Sequence, residues 1–279
     1  MEVMASVLQE ADYDDFEMYP DEPPKPPRDE EIDRAKPTIL KLYANGEEVF
    51  YGRQIEVFLE KRFFHWITNK AIRELIRGGR LNVEVRRLNG NMTVHFMFLP
   101  SHRYYKRQAN ELLDVIVKYS DPVVTSACGK QAEQNFLTAL PFRRFISVAR
   151  STREYKGRKW VKTKEDLDFI VERDNVAYGC EVKNRLDYIE RDELESKLEM
   201  CKFLKIRPVF IMRQSAKSYN KMIIDAGGYV MLFDKQVYPP SLQRLADEVR
   251  EKTGLPVVAS DKVPDSILDR FLEWYKKSL

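Results

Sequence analysis

The chain has 279 residues, 47 basic and 44 acidic, and is 43% hydrophobic with 11 glycines, which suits about two domains with separate cores and strongly ionic surfaces. No apolar run approaches the ~20 residues needed to span a bilayer, and the first twenty residues are acidic rather than signal-like. The cysteines, Cys128, Cys180 and Cys201, stand far apart without metal spacing, so the composition argues against a membrane protein or a disulfide-stapled secreted scaffold and for a cytoplasmic one. The charge is unevenly spread: residues 1–36 hold twelve acids against four bases, leaving 43 bases against 32 acids, a net of +11, on the rest. A basic body points to a polyanionic partner.

Residues 1–36 include "YPDEPPKPPRDEE" and read as a disordered acidic tail, either simply solvated, masking the basic body or docking a protein partner. Residues 37–101 read as a small independent unit. "GRQIEVFLEKRFFHWI" is one amphipathic helical stretch. In "TNKAIRELIRGGRL", Thr68 is a candidate cap, Ala71, Ile72, Leu75 and Ile76 form an apolar stripe, and Gly78-Gly79 stops the helix. "LNVEVRRLNGNMTVHFMFL" alternates across Asn89-Gly90, a hairpin signal. Helices followed by a hairpin resemble a winged helix. On that resemblance the second helix presents Lys70, Arg73, Arg77 and Arg80, and the wing presents Arg86 and Arg87, to nucleic-acid phosphates. Protein docking is the other use of such a module.

Residues 102–121 read as a connecting helix and 122–279 as a second unit: a helix in "GKQAEQNFLTAL", a strand in "RRFISVARS", a long basic loop, two strands over 166–184, then helix, strand, helix, strand and two terminal helices. The α-β-β-β-α-β-α-β order predicts an α/β (α+β) mixed sheet flanked by helices.

The stretch "DLDFIVERDNVAYGCEVKN", 166–184, places charge inside its strands. Alternation puts Glu181 and Lys183 on one face and Cys180 and Val182 on the other. Asp166 and Asp168 likewise share a face of the neighbouring strand. Burying unpaired charge costs several kcal/mol, and a divalent cation between carboxylates, Mg²⁺ or Mn²⁺, compensates it. A lysine beside them orients or helps deprotonate a water, or offsets charge on a phosphate. The other reading is an exposed cross-strand ion pair. Asp168, between Leu167 and Phe169, is preferred to Asp166, which follows Glu165.

An Asp before an apolar triplet, a turn, then apolar-Glu-apolar-Lys resembles the PD-(D/E)XK nuclease superfamily, the restriction-endonuclease-like fold. Within it, the layout is most similar to archaeal Holliday-junction-resolvase-like nucleases over about residues 125–235. The resemblance implies that Asp168 and Glu181 bind metal, that Lys183 is the catalytic lysine, and that Glu133 is the helix glutamate. It departs in having no proline before the aspartate, Asn184 where resolvases tend to have serine, and a longer "TREYKGRKWVKTKE" loop. Arg143, Arg144, Arg150, Arg153, Lys156, Arg158 and Lys159, with Tyr155 and Trp160 among them, suit backbone tracking and base stacking. What it implies is a metal-dependent DNA endonuclease of repair or recombination rather than restriction, leaving 5′-phosphate and 3′-hydroxyl ends, with a homodimer reasonable; an RNA nuclease or an inactive DNA-binding scaffold are the rivals.

Overall fold

The structure, a computed structural model, describes residues 29–88 and 92–278. The expectations for residues 1–28, including a tail-docked partner, and for the Asn89-Gly90 turn lie outside the described residues. The chain divides into two compact units between Asn110 and Glu111.

The first unit comprises α1 (Asp29–Leu40), a 3₁₀ turn at Lys41–Tyr43, β1 (Val49–Tyr51), α2 (Gly52–Leu59), α3 (His65–Arg77), β2 (Asn82–Arg87) and β3 (Thr93–Phe98). Its antiparallel sheet has the order β1-β3-β2. The acidic tail was expected to reach residue 36, but α1 begins at Asp29. Ile32, Ala35 and Ile39 recur at three- and four-residue steps and are buried against Ile72 and Leu75 in the same core cluster. That stripe outweighs both the acidic composition and Pro37. The stretch expected as one helix is also broken. Arg62 and Phe63 both donate backbone N–H groups to Leu59 O, Phe64 is extended, and α3 starts at His65. Two short helices can each turn a stripe, Ile55 with Leu59 and Ile67 with Ala71, into one core; a continuous rod could not. Thr68 is therefore a buried residue within α3 rather than its cap.

α4 (Tyr105–Tyr119) carries the chain across the division, so the expected separate connector is shared between the units. The second unit continues with α5 (Pro122–Ala139), β4 (Ile146–Thr152), β5 (Glu154–Tyr155), β6 (Arg158–Lys159), β7 (Leu167–Arg173), β8 (Val176–Lys183), α6 (Arg191–Leu204), β9 (Arg207–Met212), α7 (Lys217–Asp225), β10 (Tyr229–Leu232), β11 (Gln236–Tyr238), α8 (Gln243–Thr253), β12 (Val257–Ala259) and α9 (Asp265–Ser278). Asp121 caps α5 by accepting from Val123 N at 2.7 Å, with Pro122 in the first turn.

The main sheet has the order β10-β9-β8-β7-β4, antiparallel through β4, β7 and β8 and parallel through β8, β9 and β10. The architecture is thus mixed α/β. β7 and β8 join through Asp174 and Asn175, both with left-handed φ (50° and 64°), as a two-residue hairpin turn requires. One side of the sheet packs Phe136, Phe169, Tyr178, Cys180 and Val182 with Phe271 and Tyr275 of α9. A second cluster gathers Ile170 and Ala177 with Met200, Cys201 and Leu204 of α6. The expected long loop contains the β5/β6 hairpin, turned at Lys156-Gly157 with positive φ at both. The short parallel pair β11/β12 is a feature the sequence reading did not resolve. Among the described residues no helix is long and apolar enough to cross a membrane.

Candidate active site at the opening of the β7/β8 ladder

β7 and β8 pair as far as Phe169 opposite Cys180. Continued by one step, that register sets Asp168 opposite Glu181. The ladder gives way there: Val182 N–H donates to Asp168 Oδ2 at 2.6 Å, so a side chain takes the place of a backbone acceptor. Cys180 and Val182 enter the apolar core. Glu181, only 3% exposed, has its two oxygens bound separately. Lys183 Nζ lies 2.9 Å from Oε1, and Lys197 Nζ of α6 lies 2.7 Å from Oε2. Lys183 also pairs with Glu193, and Lys197 also donates to the backbone carbonyl of Asp166. The dull alternative, an exposed cross-strand pair, does not describe a glutamate buried this deeply.

Burial, then the neighbouring charge of Glu181, pushes the Asp168 carboxyl from 3.8 up to about 7, against the opposing hydrogen bond from Val182. Glu133, partly buried on α5, is likewise raised, first by burial and then by Glu181 and Asp166. Three carboxylates therefore feel one another despite two lysines close by. For Lys183, burial opposes the charge, but Glu181 and Glu193 outweigh it and its pKa is raised. It is a fixed cation at neutral pH, which suits charge stabilisation and hydrogen-bond donation rather than proton abstraction.

Asp166 lies just before β7 and is exposed, contributing its carbonyl to Lys197. Among the described residues no three His, Cys, Asp or Glu side chains form a metal-holding group. The oxygen donors on offer are the carboxylates of Asp168 and Glu181. A Mg²⁺-type ion is commonly held by one or two carboxylates and completes its shell with water and substrate oxygens.

The support beneath these groups is specific. Asn184, buried at the end of β8, donates to Cys128 O of α5 at 2.7 Å and to Val237 O at 2.6 Å, and accepts from Val237 N at 2.7 Å. It ties the helix bearing Glu133 to the strand bearing Glu181. Arg213, 1% exposed, donates to the carbonyls of Arg185 and Leu186 and so holds the segment after β8.

The basic residues proposed for nucleic acid divide. Arg150, Arg153, Lys156, Arg158 and Lys159 are all exposed. Lys156 pairs with Glu172 at 3.2 Å, and Arg158 donates to Phe203 O at 3.2 Å. Arg143, in contrast, is held by Asp265 and Asp269 of α9. Trp160 is no stacking platform: it is 2% exposed, packs in the cluster with Leu167 and Met200, and donates to Thr163. Burial of a large ring beneath a short hairpin is worth more than its exposure in a charged loop. Tyr155 is partly buried and donates to Glu172.

In the first unit Lys70, Arg73 and Arg77 follow one another at helical spacing on α3, Lys70 and Arg77 exposed and Arg73 half-buried. Arg80 lies in the turn after the helix rather than on it. Arg86 is paired with Glu84 on β2, and Arg87 is exposed. His65 is buried beside Phe64, and burial with Arg53 lowers its pKa to about 3, so it serves packing.

The sequence reading missed Lys197 and Glu193. A signal for Lys197 was present: Leu194, Met200, Cys201 and Leu204 form the buried stripe of α6, and Lys197 stands within it. Comparison with protein-family models, curated proteins and solved structures gave no match to this chain.

Proposed function

We propose that this protein is a metal-dependent nuclease of the PD-(D/E)XK kind that hydrolyses DNA phosphodiester bonds, with a winged-helix-like first unit that adds nucleic-acid affinity. The observation that carries the reading is the convergence of Asp168, Glu181 and Lys183 where the β7/β8 ladder opens. The α-β-α-α-β-β order of the first unit and the exposed cations of α3 support the second part.

The donor set fits a hard divalent cation. Asp168 and Glu181 offer oxygen only, and the Asp168 and Glu133 carboxyls are raised first by burial and then by the charge of Glu181, which a bound cation would offset. Such a cation supplies Lewis-acid charge to a phosphodiester. Lys183, kept protonated by Glu181 and Glu193, donates to the attacking water or to a phosphate oxygen and offsets charge as it accumulates there. Glu133 is the carboxylate on α5 available to take the water's proton, directly or through a second water. Asn184 keeps α5 and β8 in register for this exchange. In-line attack would leave 5′-phosphate and 3′-hydroxyl ends. Repair or recombination of DNA is the setting the two-unit layout suits.

The test is cleavage of labelled duplex, branched and single-stranded DNA, and of RNA, with Mg²⁺ or Mn²⁺ against EDTA, for wild type, Asp168→Ala and Lys183→Ala. Metal-dependent DNA cleavage lost in both variants is expected. Cleavage that survives both substitutions rejects the assignment; preference for RNA, or tight binding without turnover, would establish one of the rivals.

A further inference from the structure

Glu181 meets two ammonium groups, and the two are held differently. Lys183 lies on Oε1 at 2.9 Å, retains some solvent exposure, and has a second carboxylate, Glu193, on which to remain if it leaves Glu181. Lys197 lies on Oε2 at 2.7 Å with its side chain only 5% exposed. It also donates to the backbone carbonyl of Asp166. Its stem stands in the apolar stripe of α6 between Leu194 and Met200. A carboxylate oxygen and a carbonyl oxygen are the donors a hard cation selects. Lys197 occupies them with an ammonium instead.

That placement bears on how many metal ions the site accepts. An ion on Oε2 at the ordinary Mg–O distance of about 2.1 Å would lie within about 5 Å of the Lys197 nitrogen, in a region largely closed to water. Lys183 can yield its oxygen to an incoming ion by staying on Glu193. Lys197 is held by Glu181 and the Asp166 carbonyl, and leaving them would place its charge in the apolar stripe.

We propose that Lys197 is a built-in cation that fills the second metal position on Glu181, so that the site takes one divalent ion per chain. The inference rests on the nuclease reading and adds to it a metal count and a residue that sets the count. Lys197 is a positioning residue in this account: it acts through Glu181.

The test is Mn²⁺ counting on the full chain by equilibrium dialysis with paramagnetic resonance detection of free ion, up to millimolar Mn²⁺. Melting curves in the same buffers show that the counted chain is folded. Wild type should bind one Mn²⁺ in the site, defined as the binding lost in Asp168→Asn. Lys197→Met should bind two, with a larger upward shift of melting temperature on adding Mn²⁺ than wild type shows; Lys197→Arg should bind one. Two ions in wild type, or a single ion in folded Lys197→Met, overturns the inference while leaving the nuclease reading standing. A Lys197→Met chain that stays unfolded in millimolar Mn²⁺ also overturns it, because a second ion should take the emptied position. Wild type that is folded yet binds no Mn²⁺ overturns the nuclease reading and the inference together.

Discussion

Replacing Asp168 by Asn should stabilise the metal-free protein while abolishing its activity. In the folded chain the Asp168 carboxyl ionises near 7 rather than 3.8, because burial and Glu181 disfavour its charge. For an acid raised in this way, the unfolded chain releases its proton first. The cost to the fold is absent below about pH 4, grows as pH rises toward 7, and is complete above it. At about 1.4 kcal/mol per pH unit the interval amounts to at most roughly 4 kcal/mol. Asn keeps an oxygen to accept from Val182 N and carries no charge, so about 2–4 kcal/mol should be recovered at pH 8. For a unit of this size that is a rise in melting temperature on the order of 5–10 °C. Calorimetry in EDTA at pH 4.5 and pH 8 provides the comparison. The variant should melt close to wild type at the lower pH and well above it at the higher. An Asn variant that melts at or below wild type at pH 8 refutes the reasoning.

Other outcomes follow from the same geometry. Lys183→Ala should lower kcat by about 100-fold or more in single-turnover cleavage, since it removes a preorganised positive charge, and a change under threefold would remove Lys183 from the mechanism. Asn184→Ala removes bonds to Cys128 and Val237; urea unfolding should show a loss of about 2–4 kcal/mol, and a loss below about 0.5 kcal/mol would contradict its tying role. Reversing Lys70 and Arg77 to Glu should weaken duplex binding and reduce the slope of log K against log salt by about 2. An unchanged slope would turn that helix toward protein docking instead.

Much of the second unit could be read from the chain because local signals agree with tertiary ones. The alternation that sends Cys180 and Val182 inward and leaves Glu181 and Lys183 on the opposite side survives as buried strand β8. Helix α1 was obscured because "DEEIDRAKP" shows acids and a proline before its sparse apolar stripe; Ile32, Ala35 and Ile39 declare themselves only once α3 supplies a surface to cover. Trp160 has no periodic neighbours, so nothing local distinguishes a buried anchor from a stacking ring. Lys197 was legible in principle as a charge within an apolar stripe. Its partner was not, because Glu181 lies sixteen residues away and only the β8–α6 packing brings them together.

The central claim is that Asp168 and Glu181 share a divalent cation. Anomalous diffraction from crystals soaked in Mn²⁺ measures this most directly. The account predicts one peak within about 2.0–2.3 Å of a carboxylate oxygen from each residue. A peak bound elsewhere, or none beside either residue at millimolar Mn²⁺, contradicts it.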